Sequence, residues 1–425
     1  MKIKIKDMPY EKVMALPRPK HKPPHKPNIL FRTLVRLLSV FELSKVNFTY
    51  TQTDMHKTGT GPCLILMNHS SFIDLQIVSR IFYPQPYCIV CTSDGFVGKE
   101  WLMRSLGCIP TNKFVTDISL LANMGAALKK GAHILMYPEA SYTFDGCNGI
   151  LPRRLGIMLK KLGVPVVTII TKGAFSHNPL YNALQKRKVK ITAQVKCLYS
   201  AQEIKELSID ELDEGLNKMF TFDSFAWQQE NKVRIDEPFR ADGLNRILYK
   251  CPHCAKEGKT VGKGMTLTCT HCGKVYELDE YGAIAATDGN SAFTHIPDWY
   301  AYERECVRKE IEDGTYKLDT DVDICIMVDY KSIYHIGQGR LVHTKDGFTL
   351  TSNDCKLNYT HPPLASYSLY SDYYWYERAD VICIGNGDCL YYCFPKCGDV
   401  VAKTRLAAEE IYKIARSKRK QKITV

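Results

Sequence analysis

No stretch of this 425-residue sequence approaches the ~18 uninterrupted apolar residues that a membrane-spanning helix requires. No secretory leader is expected either, because the basic N-terminal stretch runs into prolines (Pro17, Pro19, Pro23, Pro24, Pro27) and not into an apolar core. Acidic residues are in deficit, 45 against 57 Lys and Arg, which leaves a formal charge of +12. The excess is uneven: the first 26 residues carry Lys2, Lys4, Lys6, Lys12, Arg18, Lys20, Lys22 and Lys26 against Asp7 and Glu11, and RSKRKQK lies at 416–422. Such tracts suit an anionic partner, either nucleic acid or a lipid surface, with a solvated tail as the plainer reading. Seventeen cysteines without a leader point to a reducing compartment, where thiols stay free or bind metal, so a cytoplasmic location is expected.

At 48.4 kDa the chain is too long for one ordinary core, and two or three domains are expected. A basic segment, 1–27, precedes NILFRTLVRLLSVFEL at 28–43, where Leu30, Leu34, Leu37, Leu38 and Phe41 fall on one helical face. Beside a polybasic tract, that helix fits a headgroup-level membrane anchor as well as it fits a surface helix of its own domain. From 62 to about 195, short apolar runs (CLILMN, YCIVCT, AHILMYP, VPVVTIIT, VKITAQVKCL) alternate with amphipathic ones (FIDLQIVSRIF, GKEWLMRSL, SLLANMGAALKK, RRLGIMLKKL). This order predicts an α/β domain over 28–245, a mixed sheet flanked by helices. Ser208 and Glu211 have capping-box spacing, and RADGLNR reads as a linker. After about 295, aromatic and β-branched residues alternate with polar ones between turns, and an amphipathic helix follows at about 398–417. A β-rich domain over 295–425, closed by a helix, is expected.

Between the two domains, at 246–280, Cys251-x-x-Cys254 and Cys269-x-x-Cys272 form two knuckles fourteen residues apart. Four thiolates on two tight turns satisfy tetrahedral zinc and leave no open position, so a structural zinc ribbon is expected. The ribbon has no dense Arg/Lys stripe with interleaved aromatics, which argues against nucleic acid and for lipid as the anionic partner. Cys88 and Cys91, in an apolar run, and Cys389, Cys393 and Cys397, among aromatics, read as packing residues.

The residues with most chemical promise lie in MNHSSFID, 67–74. His69 and Asp74 cannot meet along a continuous helix, since residues five apart are about 140° apart around its axis. If His69 ends a strand and a Ser71 cap starts the helix at Phe72, the chain bends and the carboxylate reaches the imidazole. Downstream, an apolar strand ends in Tyr137-Pro138-Glu139-Ala140-Ser141, which places a carboxylate where open α/β sheets bind ligands.

In this order the motifs resemble those of the glycerolipid acyltransferases, including the 1-acylglycerol-3-phosphate acyltransferases, over roughly residues 30–220. Asn68, His69 and Asp74 match the first motif, N-H-x4-D. Gly107, Ile109 and Lys113 match the second in outline, with lysine for arginine. Tyr137, Pro138, Glu139, Ala140 and Ser141 stand for F-P-E-G-T, with Tyr142 where arginine is usual, and Val164, Pro165 and Val166 match the fourth. The resemblance implies His69 as general base, Asp74 as its orienting carboxylate, and transfer of an acyl group from coenzyme A or acyl carrier protein to a lysophospholipid. It places Asn68, Lys113, Glu139, Ala140 and Ser141 at the acceptor site, with Arg153 and Arg154 as substitutes for the missing arginine. It also implies peripheral attachment to the inner face of the membrane. An acceptor without phosphate and a non-catalytic lipid- or protein-binding scaffold are the competing readings. The C-terminal strands and helix resemble, in topology, a pleckstrin-homology or GRAM-type barrel, with a plain interaction domain as the alternative.

Overall fold

The computed structural model describes residues 3–115 and 117–424. The chain starts with β1 (Ile5–Asp7), α1 (Tyr10–Met14) and α2 (Ile29–Lys45). It continues through β2 (Thr49–Thr53), β3 (Leu64–Met67), α3 (Asp74–Phe82), β4 (Tyr87–Thr92), α4 (Glu100–Ser105), β5 (Cys108–Thr111), α5 (Ile118–Lys129), β6 (His133–Met136), α6 (Leu155–Leu162), β7 (Val166–Lys172), α7 (Ala174–His177) and β8 (Thr192–Tyr199). Helices α8 (Ala201–Glu206), α9 (Ile209–Met219) and α10 (Ser224–Glu230) complete the α/β domain.

Its seven strands run β2-β8-β7-β3-β6-β4-β5, parallel except where β8 pairs antiparallel with β7. The central strands are apolar on both faces because helices cover both. Along β3, Leu64 and Leu66 pack with Met124, Leu128, Leu159, Leu212 and Leu216 beneath α5, α6 and α9. Ile65 and Met67 point the other way, to Leu43, Ile77 and Val78 beneath α2 and α3. Ser208 caps α9 with both halves of the capping box formed.

RADGLNR is not a linker. Ala241 and Leu244 are buried, and Gly262 packs so closely on this segment that a Cβ would meet the Ala241 carbonyl oxygen at 2.4 Å. The segment lies under a four-stranded antiparallel ribbon of β9 (Thr260–Lys263), β10 (Thr266–Cys269), β11 (Val275–Leu278) and β12 (Ile284–Ala286). Next, α11 (Ile296–Glu312) sets the fully buried Trp299 against Tyr276 of the ribbon, ring centroids 4.8 Å apart.

The C-terminal strands are β13 (Leu318–Met327), β14 (Ile333–Thr344), β15 (Gly347–Ser352), β16 (Asn358–His361), β17 (Tyr370–Trp375), β18 (Ala379–Gly385) and β19 (Leu390–Pro395), closed by α12 (Val401–Thr424). Their order is β16-β15-β14-β13-β19-β18-β17, antiparallel throughout. Val322, Ile324, Leu341, Leu350 and Ile382 form one core with Ala402, Leu406 and Ala407 of α12 and with the ribbon. Met327, Trp375 and Tyr392 instead pack on Val97 and Phe114 of the α/β domain. Cys389 and Cys393 are buried as expected, but Cys397 is exposed, because it follows the end of β19.

The N-terminal basic segment is anchored. Strand β1 pairs parallel with Ile333–His335 of β14, Val13 is fully buried, and Lys22 and Lys26 bond to Glu100 and to the Lys130 carbonyl. No helix among the described residues is long and apolar enough to cross a membrane.

Candidate active site

Strands β3 and β6 are neighbours at the centre of the sheet, yet the chain visits β4 and β5 between them. Their C-terminal ends therefore open onto one crevice. The two loops are tied together there: the His69 amide donates to Glu139 Oε1 at 3.3 Å, and the Thr143 amide donates to the His69 carbonyl at 3.3 Å. Asn68 fixes the first loop to β7. Its Oδ1 accepts from the Thr171 amide (2.8 Å) and hydroxyl (3.1 Å), and its Nδ2 donates to the Thr171 carbonyl (3.2 Å) and Ser70 Oγ (3.0 Å). The buried amide has every donor and acceptor engaged, so its geometry is that of a clamp.

His69 and Asp74 meet, Nδ1 to Oδ2, at 3.1 Å. The bend that brings them together differs from the one expected. The helix starts at Asp74, not Phe72, and Ser71 does not cap it; Phe72 and Ile73 lie in a turn closed by the Asp74 amide on the Ser71 carbonyl at 3.2 Å. As the first helical residue, Asp74 turns its carboxylate back, so that Oδ2 also accepts from the amides of Ser70 (3.2 Å) and Ser71 (3.3 Å). Three N–H groups on one oxygen is the environment of an ionised carboxylate. Burial raises the Asp74 carboxyl, and these amides oppose the rise. Burial, reinforced by the charge of Lys113, lowers the His69 imidazole and keeps it neutral.

The imidazole lies flat between two tyrosines, with centroids 4.0 Å from Tyr137 and 3.9 Å from Tyr142. Its side chain stays 16% exposed, against 2% for Asp74. Glu139 is buried and pushed up to about 7, first by burial, with the Gly149 and His69 amides pulling the other way. Gly149 donates to its Oε2 at 2.6 Å. Ala140 has φ +58°, the left-handed region that favours glycine, which accounts for glycine being usual there.

Lys113, in the turn after β5, holds its Nζ 4.3 Å from the Tyr370 ring centroid. Arg153 and Arg154 are both exposed at the start of α6. The guanidinium at the third motif is Arg405 of α12, whose Nη2 donates to Ser141 Oγ at 2.8 Å. Sequence reasoning missed it, and missed the neighbouring Asp94, in the turn after β4, and Tyr370 and Asp372 of β17. Asp94 Oδ2 accepts from Tyr370 Oη (2.5 Å) and Trp375 Nε1 (3.2 Å). Asp372 is pushed up to about 7 by burial, with Lys113 opposing. The one available signal was Arg405 and Glu409, charges at i,i+4 on an otherwise apolar helix face.

Against this geometry, residues 30–172 match the family model described as Acyltransferase. The chain carries an acyltransferase domain. Two chloroplastic 1-acyl-sn-glycerol-3-phosphate acyltransferases are similar to it. The Brassica napus protein is 29% identical over 116 residues, 26% of this chain and 33% of its own length. The Arabidopsis thaliana protein is 24% identical over 140 residues, 32% of this chain and 38% of its own length. The chain thus spans about a third of the length of the curated relatives it matches. The crystal structure of the 1-acyl-sn-glycerophosphate acyltransferase PlsC from Thermotoga maritima aligns over 48% of this chain and 80% of that one, at 15% identity and a TM-score of 0.37.

On the surface of the acyltransferase domain, α2 leaves the apolar face read from its spacing uncovered. Leu30, Leu34, Leu37, Leu38 and Phe41 are exposed, Leu30 and Phe41 by 70% or more, and Phe31 lies edge-on to the 73% exposed Trp101.

The four knuckle cysteines come together, all Sγ atoms lying within 4.8 Å of one another. Cys251 and Cys272 are 3.8 Å apart and Cys254 and Cys269 3.7 Å. An edge of about 3.8 Å is what tetrahedral geometry gives for zinc–sulfur bonds of ~2.3 Å. The knuckles are built alike: the amides of Ala255 and Gly273 donate to the Cys251 and Cys269 carbonyls at 2.9 Å, and both residues are left-handed. The donor set therefore fits zinc.

Proposed function

We propose that this chain transfers a fatty acyl group from acyl-coenzyme A or acyl carrier protein to the free hydroxyl of a lysophospholipid, most specifically 1-acylglycerol 3-phosphate, to give phosphatidic acid. The observation that carries the reading is the His69–Asp74 pair, oriented at 3.1 Å at the end of a central strand of an acyltransferase domain. With Nδ1 donating to Asp74, the Nε2 lone pair takes the proton from the acceptor hydroxyl. The oxygen attacks the thioester carbonyl, forming the new C–O bond. Asp74 balances the imidazolium as its charge develops. The tetrahedral intermediate then collapses, the C–S bond breaks, and the thiolate leaves with the proton that the imidazolium returns. No acyl-enzyme is required.

Asn68, by its geometry, holds the loop, and Glu139 fixes the His69 backbone. The exposed face of α2 with Trp101 is our membrane contact, set at the headgroup level of an anionic leaflet on the cytoplasmic side. Zinc on Cys251, Cys254, Cys269 and Cys272 would hold the ribbon's two knuckles together. The seven strands and closing helix are read as a pleckstrin-homology or GRAM-like barrel. A second reading, an acceptor without phosphate, is favoured by Tyr142 and by the carboxylates of Asp372 and Asp94 beside Lys113.

The test is acyl transfer from labelled donors by the wild type and His69→Ala to lysophosphatidic acid, lysophosphatidylcholine and monoacylglycerol. Transfer to lysophosphatidic acid that drops ~10²- to 10⁴-fold in the variant is expected. Undiminished transfer by the variant would remove His69 as the base.

A further inference from the structure

From residue 137 to 152 the loop that follows β6 contains no Lys or Arg, although it forms one wall of the site. Its cation comes from elsewhere in the chain. Arg405, on the barrel's closing helix, is 7% exposed and reaches this loop directly. Its Nη2 donates to Ser141 Oγ at 2.8 Å, its Nη1 donates to the Tyr142 carbonyl at 3.3 Å, and its guanidinium carbon lies 4.4 Å from the Phe144 ring centroid. Tyr142 is the residue stacked on the catalytic imidazole.

A guanidinium has five N–H donors. Among the described residues three are engaged, the third being Nε to Glu409 Oε1 at a long 3.5 Å. Glu409 is held more closely by others, Ser368 Oγ at 2.7 Å and Arg304 Nη1 at 2.7 Å. Arg405 thus keeps two N–H donors that no partner among the described residues engages. Its charge is felt at the groups around the pair: it draws the Glu139 carboxyl down against burial and adds to the lowering of Lys113. Lys113 has its own carboxylates, Asp372 and Asp94, beside it. Arg405 bonds the loop after β6 directly, while its Nε side faces the buried carboxylate of Glu409.

We propose that Arg405 is the specificity-determining cation of the acceptor site, receiving the phosphate monoester of the lysolipid with Lys113 in support. The barrel's closing helix then belongs to the active site. The proposal rests on the acyl-transfer reading above. Arginine suits the role because its planar fork offers paired donors to a phosphate.

The experiment compares kcat/KM for 1-acylglycerol 3-phosphate and for the matching monoacylglycerol in the full-length wild type, Arg405→Ala and Arg405→Lys, with melting temperatures alongside. The expected result is a loss of ~10- to 100-fold for Arg405→Ala on the phosphorylated acceptor only, with Arg405→Lys in between. Glycerol 3-phosphate, as a competitive inhibitor, should weaken in parallel. An equal fall on both acceptors would make Arg405 a structural anchor and overturn the proposal, as would no fall at all or a wild type that prefers the acceptor lacking phosphate. If Arg405→Ala does not fold, Arg405→Lys decides by the same ratio. A wild type inactive on both acceptors removes the acyl-transfer reading itself, and is told apart by His69→Ala being indistinguishable from it.

Discussion

Replacing Asp74 with Asn keeps the shape of the site and removes one charge. The Asn carbonyl can still accept from the Ser70 and Ser71 amides, which lie 3.2 and 3.3 Å from Oδ2, so the turn should survive. What goes is the partner of the developing imidazolium. At the observed 3.1 Å, a unit charge pair in a medium of effective dielectric ~20 is worth about 5 kcal/mol. With the proton about half transferred in the transition state, roughly half of that is felt, and at ~1.4 kcal/mol per decade kcat falls ~10²-fold. If the Asn amide instead presents its NH₂ to Nδ1, the wrong tautomer forms and the loss approaches ~10⁴. The KM for each substrate should stay within about twofold, since Asp74 is buried behind the imidazole and makes no contact a substrate could use. The assay is initial rates of labelled diacyl lipid formation at saturating donor and acceptor, with a thermal melt as control. A kcat within about threefold of wild type at an unchanged melting temperature would refute the pair as a catalytic unit.

Glu139→Gln tests the buried carboxyl. The folded group keeps its proton up to about 7, against an ordinary 4.5. Its contribution to stability is therefore full below about 4.5 and is lost as pH rises to about 7. The melting-temperature difference between variant and wild type should move in the variant's favour across that window, and a flat difference would contradict a raised carboxyl. Metal analysis of unchelated protein should give about one zinc per chain, and Cys269→Ser should lose the metal and lower the melting temperature; a metal-free wild type defeats the four-thiolate site. Leu34→Asp combined with Phe41→Asp should reduce partitioning onto anionic vesicles ~100-fold or more, since each buried apolar side chain contributes ~1.5–3 kcal/mol. Unchanged binding would show that α2 is not the contact. Point changes are preferable to removing residues 1–44, because Val13 and β1 are built into the fold.

What could be read in advance was local in the chain. His69, Asp74 and Glu139 follow apolar runs that are strands, and the alternation of β3, β4 and β6 with helices follows from their composition. The cysteine knuckles were legible for the same reason, each carrying its geometry within four residues. The exposed side of α2 followed from helical spacing. The helix start was misplaced by two residues because the Ser71 signal is real but loses to a turn that uses the Asp74 carboxylate. The contacts that finish the site span the chain: Arg405 meets Ser141 across 264 residues, and Tyr370 meets Asp94 across 276. Nothing in a helix with Arg and Glu at i,i+4 says whether the pair faces water, each other or another domain. RADGLNR was misread because its glycine and charges resemble a linker, while its Ala241 and Leu244 lie beneath the ribbon.

The pairing of Ile5–Asp7 with Ile333–His335 has a consequence for synthesis on the ribosome. At ~5–20 residues per second, β1 waits roughly 15–65 s for its partner strand to be made. In the later part of that wait the sheet whose strand β3 leads into His69 can already close, because β2 to β8 are complete by Tyr199. The helix bearing Arg405 is translated later still. A nascent chain thus passes through a stage with His69 and Asp74 able to meet and the C-terminal sheet absent, and β1 is unpaired at the time when chaperones and neighbouring chains have access to it.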